Sequence, residues 1–140
     1  MSDILKVFTL ELFENYVESF LLRDGELYLP VRQVAEALGL TFSPQLRRMK
    51  RDPVIGPTLR KVNPPPPEGE SSWGGRRSAV VVFPLRYLPG WLMGVEVSRL
   101  EPELRERVLA YKREIAQLGW IAFQERFLPP EVREWMTTPG

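Results

Sequence analysis

The sequence predicts an α+β fold: an N-terminal β-hairpin, two short helices in a helix-turn-helix-like arrangement, a second hairpin with a long Pro/Gly loop, and a long C-terminal amphipathic helix. Three observations predict it. Alternating apolar runs flank Asp24-Gly25, apolar residues recur at helical spacing over 31–38 and again over 101–127, and a Pro/Gly/Ser-rich stretch separates two β-branched runs.

The first hairpin comes from "YVESFLLRDGELYL", residues 16–29. Asp-Gly favours a type I′ turn because both central residues need positive φ. A two-residue loop there pairs Leu22 with Leu27 and Phe20 with Leu29, placing four apolar side chains on one face. Pro30 then opens a helix where its missing N–H costs nothing, Val31, Val34, Ala35 and Leu38 form its inner face, and Gly39 ends it as a left-handed cap. Ser43 is the expected N-cap of a second helix with Pro44 at its first position, Leu46 and Met49 inside, and Asp52-Pro53 as its end.

"VIGPTLRKV" (54–62) and "SAVVVFPL" (78–85) read as strands joined across a mobile loop, 63–77. Pro84 is expected to start a short apolar helix interrupted by Pro89-Gly90. The long helix runs from about Glu101-Pro102 to Phe127 and carries two apolar stripes: Leu104, Val108, Tyr111, Ile115, Leu118 and Ala122, beside Leu109, Ala116, Trp120, Phe123 and Phe127. Pro129-Pro130 stops it. The organisation expected is one domain over 1–128 and a short C-terminal tail over 129–140 with room for one more turn.

Composition narrows the chemistry. With no cysteine and no histidine, disulfides, thiolate nucleophiles, the Ser-His-Asp arrangement and the usual zinc ligand sets are excluded. No apolar run reaches membrane-spanning length and no secretory signal opens the chain, so a cytoplasmic location is expected, in the host cell if the protein is phage-encoded. Fourteen prolines, abundant arginine and asparagine only at positions 15 and 63 suit a thermophilic source, or a GC-rich one through codon bias alone. Net charge is +1, but residues 1–44 carry −4, residues 45–99 carry +6 and residues 100–140 carry −1.

The basic middle holds the candidate contact residues: Arg47, Arg48, Lys50 and Arg51 on the second short helix, with Arg76 and Arg77 following Gly74-Gly75. Such a cluster serves a solvated face, a protein contact or a DNA contact. In a helix-turn-helix the main buried residue of the second helix falls six after the turn glycine, which here is Gln45. The apolar residue is Leu46, so the helix is rotated by about 100° or its turn is longer. Trp91 and Trp120 read as core. Trp73 and Trp135 sit in polar, proline-flanked segments that need not be buried, and read either as interface anchors or as rings tucked onto their own domain. Gly119, inside the long helix, marks either close approach of another backbone or a merely tolerated glycine. Glu101, Glu103 and Glu106 suit a helix start, and "SSWGGRR" lacks the lysine and helix of a phosphate loop, so no catalytic constellation, cofactor or metal is expected.

The segments "LYLPVRQVAEALGLTFSPQLRRMKRDPV" and "FPLRYLPGWLMGVEVSRLEPELRERVLAYKREI" resemble the phage antirepressor N-terminal domain family, which is related to the BRO-N domains of viral proteins. "EALGL", "QLRRMKRDP" and "PLRYLPGWL" are the most specific pieces. The resemblance implies a non-catalytic α+β regulator. Some members bind and disable repressor proteins, BRO-type relatives bind DNA, and members usually continue into a second, variable domain. The loop with Trp73 departs from the family pattern. The leading expectation is a phage-type transcription regulator that binds a repressor, or the host RNA polymerase and its σ factor. Direct DNA binding through residues 44–51 is the alternative, and a homodimer formed by the long helix is a third reading; no membrane or small-molecule substrate is expected.

Overall fold

The computed structural model describes residues 3–65 and 78–137, and it is the predicted α+β fold. Five strands form one antiparallel sheet, in the order β1-β2-β3-β5-β4: β1 Ile4–Leu12, β2 Asn15–Leu22, β3 Leu27–Pro30, β4 Arg60–Val62 and β5 Val80–Pro84. The helices are α1 Val31–Ala37, α2 Phe42–Arg51, α3 Leu88–Met93, α4 Pro102–Phe127 and α5 Pro130–Thr137.

The β2–β3 connection sits where Asp24-Gly25 predicts it, but its register differs by one residue. Phe20 faces Tyr28 and Leu21 faces Leu27, rather than Phe20 facing Leu29. Of the two turn residues only Gly25 has positive φ (83°), Leu22 N–H donates to Glu26 O, and the loop is three residues long with a glycine bulge. The Asp24 carboxylate explains the choice. It accepts from Glu26 N–H (2.9 Å) and from the Tyr28 hydroxyl (2.6 Å), a pairing that the tighter turn would misalign.

A one-residue slip exchanges sheet faces. Phe20, Leu22 and Tyr28 therefore pack with Val62 and Val82 on one face, while Leu29 joins Val17 and Phe83 on the face that the helices cover. The type I′ geometry belongs to the preceding β1–β2 turn, at Phe13 (φ 52°) and Glu14 (φ 68°), which are residues that disfavour it. Long-range contacts hold them there. The Phe13 ring meets Tyr111 edge-on, Glu14 pairs with Arg107 at 2.6 Å, and Asn15 Nδ2 donates to Ala37 O.

Pro30 ends β3 and is itself the N-cap of α1, one residue outside the helix. Gly39 (φ 69°) closes α1 as predicted: its N–H donates to Glu36 O and Leu40 N–H to Ala35 O, the paired bonds of a Schellman motif. The second helix begins before the Ser43 expected to cap it. Thr41 is the N-cap and neither hydroxyl caps by side chain, because Phe42 is drawn into the core and carries the helix start with it. Asp52 ends α2 as expected and accepts from the N–H groups of Val54 and Ile55.

That Asp52 turn, followed by a 3-10 turn at Gly56–Thr58, shortens the strand expected over 54–62 to three residues. A Cβ on Gly56 would lie 2.6 Å from Lys50 O, so the backbone here passes directly over the end of α2. Pro84 ends β5, and Pro89 occupies the first turn of α3 instead of interrupting a helix.

The helix-side core gathers Leu29, Val34, Leu38, Met49, Phe83, Trp91, Leu92 and Val108. α4 spans its predicted length, but only its first half is covered: Val108 is buried and Leu104 and Ile115 partly so, whereas Leu118, Trp120, Ile121, Phe123 and Phe127 are exposed. Trp120 is thus not a core residue. Nothing lies within 4 Å of a Cβ built on Gly119, so no backbone approaches it in the described residues. The two stripes do not share one domain surface, because the sheet and α3 end before the helix does. The tail forms α5, a full helix rather than one turn.

Candidate protein-contact surface around α2

α2 follows the Schellman turn of α1 with its apolar side fixed by Met49, which is buried, and by Phe42, Gln45 and Leu46, which are partly so. The rotation implied by Leu46 therefore leaves both Gln45 and Leu46 half inside. Of the four basic residues, Arg47, Lys50 and Arg51 are exposed, and Arg48 turns inward.

Arg48 Nη1 donates to Gly94 O (2.7 Å) and Nη2 to Trp91 O (3.0 Å). Its guanidinium carbon sits 5.0 Å from the centre of the Trp91 ring. It adds a second donor to Trp91 O, which already accepts from Gly94 N–H, it donates to the Gly94 carbonyl just past α3, and it stacks on an aromatic face. Burial pushes the Arg48 pKa down, opposed by the nearby Asp52 carboxylate. The group remains a cation at any neutral pH, as arginine does.

The segment joining α3 to α4 is pinned from several sides. Lys112 Nζ donates to Val95 O (2.8 Å), and Arg105 donates to the carbonyls of Val97, Ser98 and Leu100. Held in this way, the segment stands opposite α2 and leaves a cleft of about 280 Å³ lined by Pro44, Gln45, Arg48, Arg51, Glu96 and Arg99, among others. Three guanidinium groups and one carboxylate give it a net positive lining. Glu96 pairs with Arg99 at 3.3 Å, and both are largely exposed.

The structure brings together Arg48 and Arg51 of the candidate residues, and places Arg47 and Lys50 on the outer surface of the same helix. Trp135 lies on α5 and is 82% exposed, so it is not tucked onto its own domain. Trp73, Arg76 and Arg77 lie outside the described residues. Sequence reasoning missed Arg99, Arg105 and Lys112. Arg99 is separated from α2 by β4, β5 and α3, and only the folded chain brings it to the same cleft as Arg51. A helix-start Arg105 carries no local sign that it binds carbonyls upstream.

Among the described residues, no group of three or more acidic side chains is placed to hold a metal ion, and no helix is long and apolar enough to cross a membrane. No curated protein and no solved structure matches the chain. The family model described as the P22_AR N-terminal domain matches residues 12–127, from the β1–β2 turn to the last residue of α4, and on that match the chain belongs to the phage antirepressor N-terminal family, whose domains are regulatory.

Proposed function

We propose that the protein is a non-enzymatic phage regulator that acts by binding a protein of the transcription apparatus, either a repressor or the host RNA polymerase with its σ factor. The family supports the regulatory role. The observation that favours a polypeptide over a duplex is the inward commitment of Arg48. It removes one of four cations from the convex outer face, where a duplex would dock, and places it in the lining of a concave cleft. Such a cleft, with Arg51 and Arg99 at its sides, suits one or two carboxylates on an extended or helical protein segment, which the planar guanidinium fork binds well.

The test is affinity capture from host lysate with the intact chain at moderate salt, alongside an Arg51→Glu/Arg99→Glu variant. The expected result is a transcription protein retained by the first and lost by the second. Recovery of no transcription protein by the intact chain would refute the proposal.

Direct DNA binding through 44–51 is a second reading, favoured by the exposure of Arg47, Lys50 and Arg51 on one helix. It requires a gel shift at low salt whose affinity falls by about one logarithmic slope unit per phosphate contacted. Alanine at all three positions should abolish the shift. Failure of the intact chain to shift DNA at low salt removes this reading.

A further inference from the structure

Among the described residues, eight of the fourteen exposed large apolar side chains lie on the α4–α5 arm. From Ile115 to Gln124 α4 contains no charged residue over ten positions, and it is apolar on more than one side. Leu118 and Ile121 lie on one flank, and Ala116, Trp120, Phe123 and Phe127 lie on another. The last three rings are layered, with centroids 6.2 Å and 4.7 Å apart.

α5 does not cover them. The cleft between α4 and α5 is lined by Gln124, Glu125, Arg133 and Glu134 together with Ile121 and Pro130, while Val132, Trp135 and Met136 remain exposed. Ile121 and Pro130 share that cleft with the polar groups, whereas Leu118, Trp120, Phe123, Phe127, Val132, Trp135 and Met136 do not line it and stay exposed. Such a hairpin belongs inside a larger bundle.

Eight large apolar side chains on this arm, Leu118 to Met136, are between 40% and 82% exposed. At roughly 150–250 Å² for a full side chain of this size they present on the order of 800 Å². That exceeds the roughly 300–600 Å² of the largest patch on an ordinary monomer and matches the ~800 Å² per partner of a standard stable interface.

We propose that a second copy of this chain covers the arm, with the two α4 helices antiparallel about a two-fold axis near Trp120, forming a four-helix bundle with both α5 helices. A self-complementary contact must bring the same patch against itself, and an uncharged patch does so without like-charge repulsion. Sizes also match. With Trp120 at the centre, residue i of one copy stands level with residue 240 − i of the other, so the small Ala116 falls opposite the gap between Phe123 and Phe127. The antiparallel sense keeps the two sheets at opposite ends of the bundle, beyond the covered half of each α4. The dimer leaves the α2 cleft free, and the inference does not depend on the target reading.

Sedimentation of the full chain over a concentration series tests it. A dimer at micromolar concentration is expected, and Trp120→Glu or Phe123→Glu should weaken it by roughly 30-fold or more, the effect of losing a buried aromatic anchor. Both positions lie outside the core, so circular dichroism and the unfolding transition of the domain should persist in these variants. The chain has no cysteine, which gives a second measurement. Copies carrying Ala116→Cys should cross-link with copies carrying Gln124→Cys on oxidation, and neither should cross-link with itself. A monomer at the highest concentration, a dimer indifferent to both glutamates, or cross-linking only between like copies would overturn the proposal.

Discussion

Arg48→Ala separates a structural role for the α2 cluster from a purely recognitional one. The guanidinium makes two charge-assisted hydrogen bonds to main-chain carbonyls and stacks on Trp91. Bonds of this kind contribute about 1.5–3 kcal/mol each when shielded. The Gly94 bond is solvent-exposed and the Trp91 bond half-buried, so the lower end applies to one and less to the other. Stacking adds about 0.5–1 kcal/mol. A loss of about 2–3 kcal/mol is expected after this discount for the open cleft. At roughly 3–5 °C per kcal/mol for a chain of this length, the midpoint falls by about 6–15 °C. Urea and thermal unfolding followed by circular dichroism read it, with Arg47→Ala as the control. Arg47 is exposed and its loss should stay within about 0.5 kcal/mol. Arg48→Lys should recover little, since an ammonium cannot span two carbonyls as a planar fork does. If Arg48→Ala and Arg47→Ala unfold together, Arg48 does not anchor α3 and the inward placement has no energetic meaning.

Other consequences follow from single positions. Gly56→Ala should destabilise by more than about 1 kcal/mol, because its Cβ would meet Lys50 O at 2.6 Å, whereas Gly119→Ala, with nothing within 4 Å, should stabilise the helix by about 0.5–1 kcal/mol; chemical denaturation compares the two. The Asp24 pKa is lowered, first by the Tyr28 hydroxyl and then by Glu26 N–H, so its contribution is complete above the ordinary aspartate value and is lost as pH falls through the depressed folded value. Stability of the native chain should therefore drop below about pH 4 and that of Asp24→Asn should be flatter there, a difference visible in unfolding midpoints between pH 5 and 2.5. Leu38→Ala, at a buried position under α1, should cost about 2–5 kcal/mol in the same assay.

Much of the backbone was legible in the sequence because its signals are local. Gly39 ends α1, Asp52 and Pro53 end α2, and Pro129-Pro130 ends α4, each through steric or hydrogen-bonding rules that involve neighbours within a few residues. The position of the β2–β3 hairpin was legible for the same reason. So was the family, whose motifs lie in α1, α2 and the α3–α4 region. Of the candidate site, the location of the basic helix was readable, and the direction in which each side chain points was not. A repeating run of Arg47, Arg48, Lys50 and Arg51 gives no hint that one of them is withdrawn into the fold.

The sequence alone determined the α+β class, the order of the elements from β2 to α4, the ends of α1, α2 and α4, and the absence of thiol or imidazole chemistry. Tertiary structure decided the rest. It placed the type I′ turn at Phe13-Glu14, where a ring contact and an ion pair outweigh backbone preference. It let the Asp24–Tyr28 bond choose the register and thereby the face on which Leu29 is buried. It spent Arg48 on α3 and left the far half of α4 uncovered. Each outcome depends on groups far apart in the chain, whose energies of one or two kcal/mol exceed local preferences of similar or smaller size only once the fold has brought them together.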